Sequence, residues 1–388
     1  MFKHRGNHID LVTLIAVLIL MVIGIGVVYS ASSTIAQEKF GKSEAFLQRH
    51  IVKVVVSLIA MFLIMKLDYH RYARVSKLGL IVALGLLAAT LTLGGEIKGA
   101  SRWLRFGGFG FQPSDFAKFA LIIHLCVLIS EKKERIRDFK TGFLPMFIWI
   151  TLVTGLVLLQ PNFSTGIMVF LFSILMLFVG GARIKHITLS LSALLPLLAI
   201  YMLSAEYRMR RVTAFFGGSG NHTATNYQLD QGIIGFGNGG LFGVGPGMSK
   251  QRDFFLPESY GDFVFSIVGE EYGFVGTMVL LFLFLILLLR GLKIAKLAKD
   301  DLGRYLTIGI TSSITLYALV NAAVTLGLLP TTGLPMPFVS YGGSSMFFTA
   351  CAVGVLLNIS TQTPLRPRME SVQYTPEAID QGQVGAVY

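Results

Sequence analysis

Apolar residues run in long, nearly unbroken stretches along this chain, and most charged residues fall in the gaps between them. Ten stretches, at about 11–30, 50–67, 78–94, 115–130, 142–159, 165–181, 187–204, 263–290, 304–329 and 341–360, approach or exceed the roughly 20 residues needed to cross a bilayer as a helix. Within hydrocarbon every backbone N–H and C=O must be bonded internally, and runs this continuous achieve that as helices rather than as the alternating strands of a barrel. The pattern predicts an all-α, polytopic integral membrane protein, with about ten transmembrane helices forming a single domain over residues 1–362. Three gaps stand out as external loops, at about 95–114, 205–262 and 330–344, and the 205–262 gap between helices 7 and 8 is the largest. The polar stretch 363–388 reads as a disordered cytoplasmic tail.

Composition agrees with the pattern: 53% of the 388 residues are hydrophobic and only 14% are charged. The first apolar run is preceded by Lys3 and Arg5, as a signal peptide would be, but its length and the spans that follow make it a retained helix. Most of the 33 Lys and Arg residues fall in the N-terminal tail, in the gaps near 66–77, 131–140, 182–186 and 290–304, and in the C-terminal tail. The positive-inside bias therefore places both termini in the cytoplasm. The net charge of +12 follows from topology and membrane anchoring. It implies no nucleic-acid partner, because no soluble basic domain is present to hold one. Cys126 and Cys351 both lie inside apolar runs and read as packing residues.

Candidate chemistry gathers in the gaps assigned to the outer side. In KGASRWLRFGGFGFQPSDFAK (98–118), Lys98, Arg102 and Arg105 precede a helix opened by Gln112, Pro113, Ser114 and Asp115 and carrying Lys118. Cations beside a helix N-terminus suit phosphate. The plainer reading is a capped helix start, with Lys118 snorkelling to the interface. In FFLPESYGDFVFSIVGEEYGF (254–274), Asp262 stands where a helix begins and suits an N-cap, while Glu270 and Glu271 lie about two turns deeper. Carboxylates at that depth are costly unless bonded, so they are expected to hold a Lys, an Arg or a helix end. PTTGLPMPFVSYGGSS (330–345) reads either as a rigid external loop or as a re-entrant turn presenting hydroxyls and amides to a polar substrate. QPNFST (160–165) is a tight turn for which Asn162 is suited. No P-loop, HExxH or GxSxG occurs.

Taken in order, these motifs resemble the SEDS family, the cell-wall polymerases of the FtsW, RodA and SpoVE type, over about residues 10–360. SKQRDFFLPES and RRVTAFF look more like the division members (FtsW) than the elongation members (RodA). The resemblance implies a peptidoglycan glycosyltransferase that polymerises lipid II on the outer face of the bacterial cytoplasmic membrane, at the division septum. It also implies a class B penicillin-binding protein and other division-machinery membrane proteins as partners. The family's essential acid, the aspartate of LPE-x-x-x-DF, falls on Asp262. As base on the acceptor hydroxyl it would drive an inverting single displacement with undecaprenyl pyrophosphate as leaving group. Implied substrate-binding positions are Lys98, Arg102, Arg105, Gln112, Asp115, Lys118, Arg210, Arg211, Gln228, Lys250, Glu258, Ser259, Ser340, Tyr341, Gly342, Gly343 and Ser344. A divalent cation, Mg or Mn, is compatible with a pyrophosphate leaving group. The chain departs from the family pattern at Asn162, where Asp is usual, at Asp115, where Glu is usual, and in GIIGFGNGG. A lipid II flippase, an elongation-type polymerase and a non-catalytic division scaffold are the alternatives.

Overall fold

The computed structural model describes residues 8–97, 100–106, 109–204, 209, 215, 224–256 and 259–364. Seven helices come first: α1 (Leu11–Phe40), α2 (Ala45–Met65), α3 (Tyr69–Leu93), α4 (Pro113–Lys132), α5 (Leu144–Leu159), α6 (Phe163–Val179) and α7 (Ile184–Leu203). Then follow α8 (Ala224–Gly239), the short α9 (Lys250–Phe254), α10 (Val264–Leu297), α11 (Asp301–Thr325) and α12 (Ser344–Gln362). Among the described residues nine helices are long and apolar enough to cross a membrane, and α6 is a shorter apolar helix of 17 residues. The reading of 363–388 as a disordered tail falls outside the described residues from 365 onward.

The helices begin and end where local chemistry directs. Asp10 caps α1 by accepting from the Thr13 N–H at 3.1 Å, and Asp300 caps α11 through the Gly303 N–H at 2.7 Å. Pro113 occupies the first turn of α4, where its missing N–H leaves no helical bond unmade. The apolar windows of α4, α11 and α12 are 78, 67 and 72% buried, against 22 and 28% for α2 and α3. The first three are therefore the inner helices, with α2 packed on α12, α10 on α11 and α3 on α4. At one end the bundle is fastened by polar side chains: Arg290 pairs with Asp10, and His70 bridges Asp68 (2.7 Å) and Asp300 (2.8 Å). Asn358 there accepts from the Tyr69 N–H and donates to the Met65 carbonyl.

The gaps hold more structure than their composition suggests. The 95–114 gap holds a small antiparallel meander, β1 (Gly95–Ile97), β2 (Ala100–Phe106) and β3 (Phe109–Phe111), and among the described residues the fold is all-α apart from it. β1 and β3, at three residues each, carry too little periodicity to be told from loop. The 205–262 gap is not simply an external loop, because α8 and α9 lie within it and α8 packs along α10. Its glycines are a packing surface: a Cβ at Gly239 would stand 2.0 Å from the Gly269 carbonyl oxygen.

α10 itself is broken at Gly273, which has φ 64 and ψ −162. Such a break frees backbone groups that hydrocarbon cannot satisfy. The glycine-rich turn after α8 supplies the partners. Val244 and Gly245 N–H donate to the Glu270 and Glu271 carbonyls, each at 3.0 Å, while Phe274 and Val275 N–H donate to the Gly240 and Leu241 carbonyls at 2.9 and 3.1 Å. A Cβ at Gly273 would lie 2.4 Å from the Gly243 nitrogen, so glycine is required there by space as well as by φ.

Candidate functional site

At the end of the bundle opposite the Asp10–Arg290 pair, three segments converge: the turn 259–263, the connection 326–343 and the start of α4. Asp262 lies in the turn and is partly exposed. It is not the N-cap of α10, since that position is Phe263 and no side chain caps the helix. The turn is instead clamped through its backbone. Asn321, buried on α11, donates its Nδ2 to the Asp262 carbonyl (2.8 Å) and the Leu334 carbonyl (2.7 Å). Gly333, at φ 70, faces the carboxylate: a Cβ there would stand 3.1 Å from Asp262 Oδ2. The Tyr341 N–H donates to the Tyr260 carbonyl at 2.9 Å, joining the SYGG turn to the Asp262 turn. Phe46, Tyr260 and Tyr341 pack their rings together with centroids 4.9–5.5 Å apart.

A second polar group lies where α4, α11 and α12 meet. The Ser344 hydroxyl donates to Asp115 Oδ2 at 2.8 Å and accepts from the Gln112 N–H at 3.4 Å. Lys118, one turn further along α4, is 3% exposed, with its ammonium 4.2 Å from the Tyr317 ring centroid and 4.7 Å from that of Phe119. It thus points into the bundle, and the snorkelling reading is set aside. The pair Asp115 and Lys118, at i and i+3, shares one face of α4, as helical spacing requires.

Other expected site residues have structural partners. Arg102, on β2, donates to the Pro161 carbonyl and so ties the meander to the QPNFST turn. The Ser259 hydroxyl is fully buried and bonded to the Ala31 carbonyl at 2.8 Å, and Ser340 Oγ accepts from the Met336 N–H at 2.8 Å. These two hydroxyls shape the turns and are not open to a ligand. Gln228 lies partly buried on α8, and Lys250 is exposed at the start of α9. Gly342 and Gly343 complete the turn before α12. Lys98, Arg210, Arg211 and Glu258, with the side chain of Arg105, lie outside the described residues. Asn321, Lys53 and Tyr317 were not singled out by the motifs. Each is a polar residue isolated in an apolar run, and that isolation is the signal the sequence offered.

Glu270 and Glu271 hold the bundle together, as their depth predicts. Glu270 accepts from the Ser249 hydroxyl and the Gln251 N–H, anchoring α9. Glu271 accepts from Ser30 of α1 at 2.5 Å and lies 3.8 Å from Arg252 Nη1. Arg252 in turn bonds Asp253, whose carboxyl also accepts from Thr34. Burial raises the Asp253 pKa, but the bonds from Arg252 and Thr34 and the Arg252 charge outweigh it and leave the carboxyl below its ordinary value. Among the described residues no three His, Cys, Asp or Glu side chains gather as metal ligands.

Helices of this length and apolarity, nine of them long enough to span among the described residues, define a polytopic membrane protein. The chain belongs to the FtsW/RodA/SpoVE family of cell cycle proteins, which matches residues 10–365. It is 41% identical over 356 residues to a Geobacter metallireducens protein named "Probable peptidoglycan glycosyltransferase FtsW", covering 91% of this chain and 95% of that one. It is 40% identical over 354 residues to stage V sporulation protein E of Bacillus subtilis, covering 90% and 96%. Its fold matches a chain solved in work on the structural coordination of polymerization and crosslinking by a peptidoglycan synthase complex. The TM-score is 0.75 at 28% identity, covering 91% of this chain and 98% of that one.

Proposed function

We propose that this protein is a peptidoglycan glycosyltransferase that polymerises lipid II on the outer face of the cytoplasmic membrane, with Asp262 as the base. The observation that carries the reading is the mounting of Asp262: a partly exposed carboxylate on a turn whose backbone is clamped by Asn321, with Gly333 close beside its Oδ2. Asp262 takes the proton of the acceptor hydroxyl as its oxygen attacks the donor's anomeric carbon. The bond from that carbon to the pyrophosphate oxygen breaks, the electron pair leaves with undecaprenyl pyrophosphate, and the configuration inverts. The leaving group needs charge neutralisation more than a proton, a task that suits Lys118 and the basic residues of the 98–105 segment.

The relatives' names support the activity, and the synthase complex with a matching fold supports a class B penicillin-binding protein as partner. In this reading both termini are cytoplasmic, the Asp262 end is external, and the protein works at the septum with other division-machinery proteins. The test is purified protein with lipid II and its class B partner. Glycan strands from wild type and none from Asp262→Ala support the reading, whereas equal polymer from both removes Asp262 as base. Lipid II equilibration across vesicles without polymer would favour a transporter.

A further inference from the structure

α2 is one of the outer helices, yet it carries a lysine inside its apolar span. Lys53 lies eight residues after Ala45, about 12 Å along the helix by its rise. It is half-buried and makes no ion pair with any described residue. An uncompensated charge within a span marks function more often than packing. The plainer account is snorkelling along the lipid face, but the ammonium is directed into the site, 3.7 Å from the centroid of the Tyr341 ring. A Cβ at Gly343 would stand 3.9 Å from Lys53 Nζ and 3.9 Å from the Gly110 carbonyl oxygen, which puts the ammonium in a notch between the SYGG turn and β3.

His50, one turn closer to the Asp262 end of α2, supports this orientation. It is completely buried, its ring centroid is 5.6 Å from that of Tyr341, and neither ring nitrogen has a hydrogen-bond partner. Burying an unbonded polar group costs about 1–3 kcal/mol, a cost a hydrocarbon side chain would avoid. Two polar residues at i and i+3 thus direct one face of α2 at Tyr341. Through its N–H to the Tyr260 carbonyl, Tyr341 also supports the turn that carries Asp262. A compact cation with three donors, no carboxylate partner among the described residues and a side-chain-free glycine beside it is suited to a phosphate oxygen.

We propose that Lys53, seated on Tyr341, is a phosphate-binding residue of this site and takes one phosphate of the lipid-linked pyrophosphate. The identity of that pyrophosphate rests on the function proposed above. Bulk lipid headgroups present the same phosphate chemistry, so the experiment must separate the two sources. The full chain is placed in phosphatidylcholine nanodiscs and titrated with undecaprenyl pyrophosphate as wild type, Lys53→Met, which keeps the packing of the stem, and Lys53→Arg. The expected result is a Kd about tenfold or more higher for Lys53→Met, the scale of one lost charge-assisted hydrogen bond. Lys53→Arg should stay near wild type, and all three should unfold at the same temperature. Equal affinity of Lys53→Met and wild type overturns the proposal, as does a wild type that does not bind the probe. A difference seen only when phosphatidylglycerol is added assigns Lys53 to bulk headgroups and also overturns it. If binding depends on Lys53 but no lipid II is polymerised, the phosphate site stands and the polymerase reading falls.

Discussion

Replacing Asn321 with alanine tests how the Asp262 turn is held. The amide makes two hydrogen bonds from α11, at 2.8 and 2.7 Å, to carbonyls on different segments, and is itself 1% exposed. Hydrogen bonds between helices in membrane proteins average about 0.6 kcal/mol with a maximum near 1.7, so losing two should cost about 1–3 kcal/mol. Stability is the smaller effect. The turn also positions the carboxylate, and a misplacement of about 1 Å at a reacting group can lower turnover about 100-fold. Asn321→Ala should therefore depress kcat for glycan strand formation by ten- to a hundred-fold, with only a modest fall in apparent Tm, both measured on detergent-purified protein. Asn321→Asp is the stricter variant, because it turns a carboxylate oxygen on two carbonyl oxygens and should be worse than alanine. An Asp variant at least as active as the Ala variant would refute the clamp, as would an Ala variant with unaltered kcat.

Other outcomes follow from the same geometry. Gly333→Ala places a methyl 3.1 Å from Asp262 Oδ2 in a backbone of φ 70, so kcat should fall while folding, read by size-exclusion profile, is kept. Gly273→Ala meets backbone atoms at 2.4 and 2.6 Å that cannot move aside, and should abolish monodisperse protein. The control Gly240→Ala, at φ 52 with open space, should cost only about 1–2 kcal/mol of conformational strain. Asp253 has its folded pKa held below the ordinary 3.8, so its contribution is complete above that value and is lost as pH falls through the depressed one. Apparent Tm should drop on acidification below about 4, and Asp253→Asn should flatten that part of the profile.

The spans were legible because hydrocarbon leaves the backbone few choices, and a run of apolar residues announces its helix directly. The duties of Glu270 and Glu271 were legible for a related reason, since a carboxylate two turns inside a span must be bonded. The packing of α8 on α10 was hidden, because glycine at high density reads as freedom until the neighbour that fills its space is known. Asp262 stands out in the sequence through its motif, but its mounting does not, because Asn321 lies 59 positions away and only folding brings the two together. Lys118 shows the same limit: sequence gives its face of α4, and the position of Tyr317 decides whether it turns inward or to the interface.

The break in α10 has a bearing on engineering. Four main-chain bonds join residues 240–245 to residues 270–275, so neither segment is a self-sufficient module. Chimeras that exchange the loop after α8 with a relative's should fail unless the matching piece of α10 travels with it as one cassette. An epitope tag inserted between 239 and 245 should be rejected, even though the stretch has the composition of a permissive linker.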